Sequence, residues 1–462
     1  MNAVSKMRLA IVGAGPAGIY AADLLIKADR DFDVEIDLFD QLPAPYGLVR
    51  YGVAPDHPRI KGIVTALREV LDRGDINFYG NVRYGQDLTL EDLKRHYHAV
   101  IFATGAIRDA SLDIPGIDAE GSYGAADFVS WFDGHPDVPR EWPLEAREVA
   151  VIGNGNVALD VSRMLIKHAV DLLPTEVPGN VYEGLEQSPI EELHLFGRRG
   201  PLYVKFTPLE LRELGEVRDV DMVVDERDFA YDDPYADETL LKNKQVLVIS
   251  RILNKWREDQ RAREAGETES ASRRLHLHFW SKPVEVLRDE HGRISGIRVE
   301  RTAPDGNGGV VDTGEFETVQ VQALYRAIGY FGSPLDEIPF DEARGVIPNA
   351  QGRVLGADGA VVPGVYATGW IKRGPVGLIG HTKSDAMETL ECLLEDGDAW
   401  WRPSDPAAAA IPRLLESRHV PYTTIEGWHR LDEHELSLGA AEGRTRIKVV
   451  PREEMTRVSR AQ

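Results

Sequence analysis

Cysteine is almost missing from this chain: Cys392 is the single one among 462 residues. One thiol can neither close an internal disulfide nor supply the thiolates of an iron–sulfur cluster, so both are excluded. Positive charge is also scarce, with 53 Lys and Arg against 76 Asp and Glu and a formal net charge of −23. A surface of that sign repels nucleic acid and anionic membranes, and neither is expected as a partner. Any anionic ligand must instead meet a local basic patch. No apolar run approaches the roughly 18 residues needed to cross a bilayer. The opening MNAVSKM has neither the apolar core of a signal peptide nor an arginine-rich leader, so a cytoplasmic, soluble protein is expected. A monomer is the working expectation. What is present is ordinary: 43% hydrophobic and 28% charged residues, in a length that suits roughly two to three domains.

The chain opens with RLAIVGAGPAGIYAADLLIKA, an apolar run, a glycine turn and a helical pattern, and continues into a second strand, VEIDLFD. Gly13, Gly15 and Gly18 have the G-x-G-x-x-G spacing: one glycine for the tight turn, one for close approach to a pyrophosphate, one for packing helix on strand. The phosphates would sit at the helix N-terminus. Asp40 stands 22 residues after Gly18, where a carboxylate meets a ribose. A second unit appears at EVAVIGNGNVALDVSRMLI, with Gly153 and Gly155 followed by Ala158 in place of the third glycine. Its closing strand, ELHLF, carries Arg198 and Arg199 at the tip where an acid is usual. A carboxylate repels an adenosine 2′-phosphate, whereas guanidinium groups bind it through paired, charge-assisted hydrogen bonds. This site therefore reads as one for NADP(H), a solvated surface turn being the plain alternative.

The stretch AVIFATGA (99–106) ends the first segment, and a similar GVYATGW (364–370) follows the second nucleotide unit. This pairing suggests one nucleotide domain inserted into another. The expected fold is α/β, with two Rossmann-like dinucleotide-binding domains: an outer one of residues 1–108 and 327–462 and an inserted one of 109–326. YGLVRYGVAPDHPRIKG, VIGNGNVALDVSRML, FGRRGPLYVKFTPLELREL, YATGWIKRGPVGLIGHTKSDAMETL and GWHRLDEHELSLGAAEGRTRIKVV follow one another along nearly the whole chain. Together they resemble the ferredoxin–NADP reductases of the adrenodoxin reductase type. That resemblance implies FAD in the outer domain and NADP(H) in the inserted one. It also implies that Gly13, Ala14, Gly15, Pro16, Ala17 and Gly18 form the turn against the FAD pyrophosphate, with Asp40 on the ribose. Leu48 and Val49 would line the flavin, Gly369 and Trp370 would meet it, and Gly377, Leu378 and Ile379 would approach it through main-chain amides. Asn154, Gly155, Asn156 and Val157 would hold the NADP pyrophosphate, and Arg198 and Arg199 the 2′-phosphate.

By the same resemblance, His57 would stand beside the flavin and Glu210 would face it from the nucleotide domain, a pair that sets how the nicotinamide docks. A turn cap and a plain helix carboxylate are the alternatives for the two. Without a cluster of its own, a chain that takes electrons from NADPH needs a separate ferredoxin as acceptor. RILNKWREDQRAREAGETESASRR (251–274), with seven basic and five acidic residues, is a candidate docking rim helped by Lys27 and Arg212, or equally a solvated amphipathic helix. DERDFAYDDPYADE (225–238) reads as an exposed acidic loop. An NADPH diaphorase or quinone reductase without a protein acceptor is the alternative activity.

Overall fold

A computed structural model describes residues 6–57, 61–376 and 380–461. Two separate parallel sheets organise it. The first has seven strands in the order Asn349–Ala350, Arg353–Leu355, Val361–Ala367, Ala99–Phe102, Lys6–Val12, Asp33–Phe39, Ile76–Tyr79. From Val361–Ala367 to Ile76–Tyr79 every pairing is parallel, and the antiparallel hairpin at 349–355 closes one edge. The strand Lys6–Val12 is buried from Met7 onward, as a central strand covered on both faces must be. The second sheet has six parallel strands in the order Ser122–Gly124, Ala323–Arg326, Glu148–Ile152, Glu192–Phe196, Arg273–His278, Val220–Val224. A three-stranded antiparallel meander, Ser281–Arg288, Ile294–Pro304 and Val310–Val319, packs on it through Val286, Ile297 and Val299 against Ala150, Ile152 and Phe196. The fold is α/β with two Rossmann-like units.

The chain leaves the first sheet after Ala99–Phe102 and returns to it at Asn349–Ala350, so the second sheet lies within the sequence span of the first. Outgoing Arg108–Asp109 and returning Tyr330–Phe331 pair as two short antiparallel strands. The last segment stitches the units. Lys448 Nζ donates to the carbonyls of Arg50 (2.7 Å) and Asp133 (3.0 Å), and Arg50 pairs with Glu435 (2.5 Å), all four side chains being buried. The acidic stretch 225–238 departs from the expected exposed loop. Asp228 is buried, accepting from the Phe279 amide and the Arg301 guanidinium, and Asp233 is buried and accepts from the Tyr203 hydroxyl. Their partners lie far along the chain, which is why local composition hides them.

The two glycine turns are packed differently. A Cβ on Gly18 would collide with the carbonyl oxygen of Gly13, and Gly13 itself holds φ +113 against the Ala103 carbonyl. In the second turn Ala158 is native and fully buried. Gly18→Ala is therefore expected to cost roughly 1–3 kcal/mol or more as an overpacked site, whereas Ala158→Gly costs only about 1 kcal/mol of helix propensity. Urea unfolding of both variants checks this; a Gly18→Ala protein as stable as the parent would contradict the packing described.

Candidate functional site

Helix Pro16–Lys27 begins at Gly15 with proline at its first position and no side-chain cap. Its first amides are thus left for a ligand, and the dipole there favours an anion. A Cβ on Gly15 would find only the Cα of Gly47, at 3.9 Å, so the cleft above the turn is walled by backbone. Asp40 braces this turn: its Oδ2 accepts from the Ala14 amide at 2.7 Å and its Oδ1 from the Leu42 amide at 2.9 Å. Burial pushes the Asp40 carboxyl up to about 6, against the lowering pull of those two amides. The Tyr46 amide donates to the Ala14 carbonyl at 2.8 Å and so ties the next loop to the turn. That loop leads into the short helix Leu48–Tyr51, with Val49 buried and Leu48 half-buried. From the other side comes Gly369, φ 75, where a Cβ would stand 2.7 Å from that of Ala17. Trp370 follows it, partly buried against the core of the second unit. The turn of Gly13, Ala14, Gly15, Pro16, Ala17 and Gly18 is thus adjoined by the loop that leads into Leu48 and Val49 and by Gly369; Gly377, Leu378 and Ile379 lie outside the described residues.

The second turn repeats this design. Helix Asn156–Ile166 begins at Gly155 without a side-chain cap, and a Cβ on Gly155 would meet nothing within 4 Å. The Asn156 side chain accepts from the Thr207 amide at 2.9 Å, and the Asn154 carbonyl accepts from the Lys205 amide at 2.8 Å. Val157 packs against the core of this unit. Arg198 and Arg199 stand just beyond strand Glu192–Phe196, beside the turn. Arg198 is exposed. Arg199 lies over the Tyr203 ring, 4.3 Å from its centroid, and donates to the Gly308 carbonyl.

The chain that carries these two uncapped glycine turns on two sheets matches a known group along its full length. A family model for pyridine nucleotide-disulphide oxidoreductases matches residues 7–182. Mitochondrial NADPH:adrenodoxin oxidoreductase of Arabidopsis thaliana is 36% identical over 97% of this chain and 94% of its own. NADPH-ferredoxin reductase FprA of Mycobacterium tuberculosis is 36% identical over 97% of this chain and 98% of its own. This chain belongs to the adrenodoxin reductase-type ferredoxin–NADP reductases. The structure of M. tuberculosis FprA in complex with NADPH superposes with a TM-score of 0.88 at 35% identity, covering 99% of this chain and 100% of that one.

Between the two cradles this reductase buries a cluster of charges. Helix Pro208–Gly215, capped by Thr207, presents Glu210 to His57 from the other unit: Glu210 Oε2 is 2.9 Å from His57 Nε2. Both side chains are buried. Further charged groups close on this pair. Asp160 Oδ1 is 2.8 Å from the same Nε2, and Glu213 Oε2 is 2.7 Å from Nδ1. Arg163 donates to Asp160 at 2.8 Å, lies 2.6 Å from His57 Nε2, and grips Asp56 with two bonds of 2.9 Å. Asp160 and Arg163 are three residues apart on the helix that follows the second glycine turn, one turn along one face. That spacing was readable, but their partner at 56 was not. Burial disfavours the Asp56 carboxylate, yet Arg163 and Lys167 outweigh it and hold the group well below the usual carboxylate range.

The basic stretch 251–274 is not the free rim its composition suggests. Lys255 pairs with Asp259, Arg257 and Arg261 with Glu226, Arg263 with Asp221 and Arg274 with Glu192, while Arg273 donates to the carbonyls of Ile166 and Lys167. Lys27 is likewise paired with Asp23. The acids come mostly from elsewhere in the chain, so a local count misses them.

Burial works against a charged His57, but Asp160 and Glu210 overcome it, against the opposing Arg163, and raise the imidazole to about 10. An unfolded histidine titrates near 6.5, at about the model-peptide value. The cationic ring therefore contributes stability in full below about pH 6.5, and the contribution fades as pH rises through about 10. Unfolding the parent and His57→Gln at several pH values between these limits is expected to show the stability gap shrinking with rising pH. A gap that stays constant would contradict a cationic His57.

Proposed function

We propose that this chain carries electrons from NADPH through FAD to a small iron–sulfur protein of the ferredoxin type. The observation that carries the reading is the pair of uncapped helix N-termini on two parallel sheets, only the second of which ends in paired arginines. Both turns suit a pyrophosphate: each opens a helix with no side-chain cap, and a Cβ at Gly155 would meet nothing within 4 Å. In this reading residues 1–108 and 327–462 hold FAD and 109–326 hold NADP(H). Gly13 to Gly18 hold the flavin pyrophosphate, Asp40 fixes the turn beside the ribose, and Leu48, Val49, Gly369 and Trp370 enclose the ring system, continued by Gly377, Leu378 and Ile379. Asn154, Gly155, Asn156 and Val157 take the NADP pyrophosphate. When bound, FAD supplies two-electron oxidation of the nicotinamide and release of single electrons to the acceptor.

The protein's own contribution is orientation and water exclusion. His57 and Glu210, pinned by Asp160, Arg163 and Glu213, fix the angle between the two cradles. Trp370 reaches from the first unit onto the core of the second and so excludes water from the gap. The single thiol, Cys392, cannot ligate an iron–sulfur cluster, so in this reading the cluster belongs to a separate acceptor protein. Of Lys27, Arg212 and the basic residues of 251–274, Arg212 and Arg251 have no acidic partner among the described residues and are left for docking it. M. tuberculosis FprA is named for ferredoxin and the A. thaliana relative for adrenodoxin, which supports this class of acceptor.

Arg198 and Arg199 provide the test, because NADPH and NADH differ only in the 2′-phosphate. A hydrogen bond to a charged group contributes about 1.5–3 kcal/mol, and each 1.4 kcal/mol is tenfold in affinity. Arg198→Ala and Arg199→Ala are each expected to raise the Michaelis constant for NADPH by roughly ten- to a hundredfold and to leave that for NADH nearly unchanged. Arg198 is the cleaner probe, since Arg199 also braces Tyr203 and the Gly308 loop. Equal losses with both nucleotides would make the arginines structural and remove the NADP assignment.

A further inference from the structure

Strands Glu192–Phe196 and Arg273–His278 are parallel neighbours, in a register that puts His194 opposite His276 and Phe196 opposite His278. Alternation sends Leu193, Leu195, Leu275 and Leu277 into the core on one face and all three histidines to the other. Each histidine has one ring nitrogen in a group whose members lie within 4.8 Å of one another. His194 Nδ1 and His278 Nε2 are already 2.9 Å apart, and His276 Nε2 is 2.6 Å from Glu192 Oε2. The antiparallel meander covers the Phe196 end of this face but leaves the three histidines half-buried, so small solutes can reach them.

We propose that His194, His276 and His278 form a binding site for a divalent first-row transition ion, with Glu192 orienting His276. Two histidines two apart on one strand and a third on the next strand supply three imidazoles from rigid elements, leaving the fourth tetrahedral position open. Nitrogen ligands of this kind suit Zn²⁺, Cu²⁺ or Ni²⁺ over the hard cations. The three rings now lie stacked, at interplanar angles of 15–27°, so binding one metal through three nitrogens at about 2.0–2.1 Å requires the imidazoles to turn out of the stack. Burial, reinforced by His276, lowers His194 to about 4, and burial with its histidine neighbours holds His278 well below its ordinary value. Both rings are therefore neutral near pH 7, as ligands must be. Coordination ends the hydrogen bond between His194 and His278, whose shared proton moves to an outer ring nitrogen. The other histidine–acid group, His57 with Glu210 and Glu213, has the Arg163 guanidinium against its imidazole and no such vacancy for a cation.

The test is equilibrium dialysis of the FAD-containing protein against Zn²⁺ at neutral pH, with bound metal counted by atomic absorption. One zinc per chain is expected, lost in His194→Ala and in His276→Ala, retained in His57→Gln, and weakened roughly ten- to a hundredfold in Glu192→Gln. Circular dichroism shows whether the alanine variants are folded. X-ray absorption at the zinc edge of the unaltered protein, independent of any variant, is expected to show imidazole scattering with nitrogen at about 2.0–2.1 Å. No retained zinc, zinc retained undiminished by folded His276→Ala, or a shell without imidazole would each overturn the site.

Discussion

Arg163 is the residue on which the relation between the two units turns. It is 1% exposed, and its guanidinium reaches Asp56, Asp160 and His57 at once, two of them on the other unit. A buried ion pair of this kind gains little over an apolar contact, but removing one partner strands a charge, at about 3–5 kcal/mol. Its value is directional. The planar fork and its two bonds to Asp56 permit one relative placement of the glycine turns, whereas apolar packing would tolerate sliding. In the proposed function the electron path depends on that placement, because there the two cofactors meet across this boundary.

The carboxyl-terminal segment supports the same boundary from its far side. Lys448 is fully buried, and burial pulls its ammonium down against the raising influence of Glu176 and Asp133. Lys61 stands beside the same two acids, 3.5 Å from Asp133 and with Glu176 at 2.5 Å. Charges from both units and from the last segment therefore neutralise one another in one connected seam. Arg50, Arg163 and Lys448, three of the buried cations, stand at this boundary, while Arg8, Arg301 and Lys372 pair with acids inside the separate units.

Much of this was legible in the sequence. Both glycine turns, their helices and the arginine pair stand in single continuous stretches, where the switch from strand to helix pattern marks them. His57 and Glu210 were legible only through family resemblance, since neither stretch alone distinguishes a docking pair from a turn cap and a helix acid. Most of the pairings that neutralise 251–274, and the burial of Asp228 and Asp233, depend on partners supplied by other elements. His194, His276 and His278 sit in plain alternating strands, and only the sheet register makes neighbours of residues some eighty positions apart. Local pattern shows the elements; long-range register decides which charges and rings face each other.

In the proposed function His57 and Glu210 act together in aligning the cofactors. Stopped-flow absorbance, following flavin reduction by saturating NADPH in the parent, His57→Gln, Glu210→Ala and the double variant, tests it most directly, with FAD content measured in each. Both single variants are expected to slow reduction while keeping FAD, and the double variant to be little slower than the worse single one. Losses that multiply independently in the double variant would show that the two residues act separately, and would contradict it.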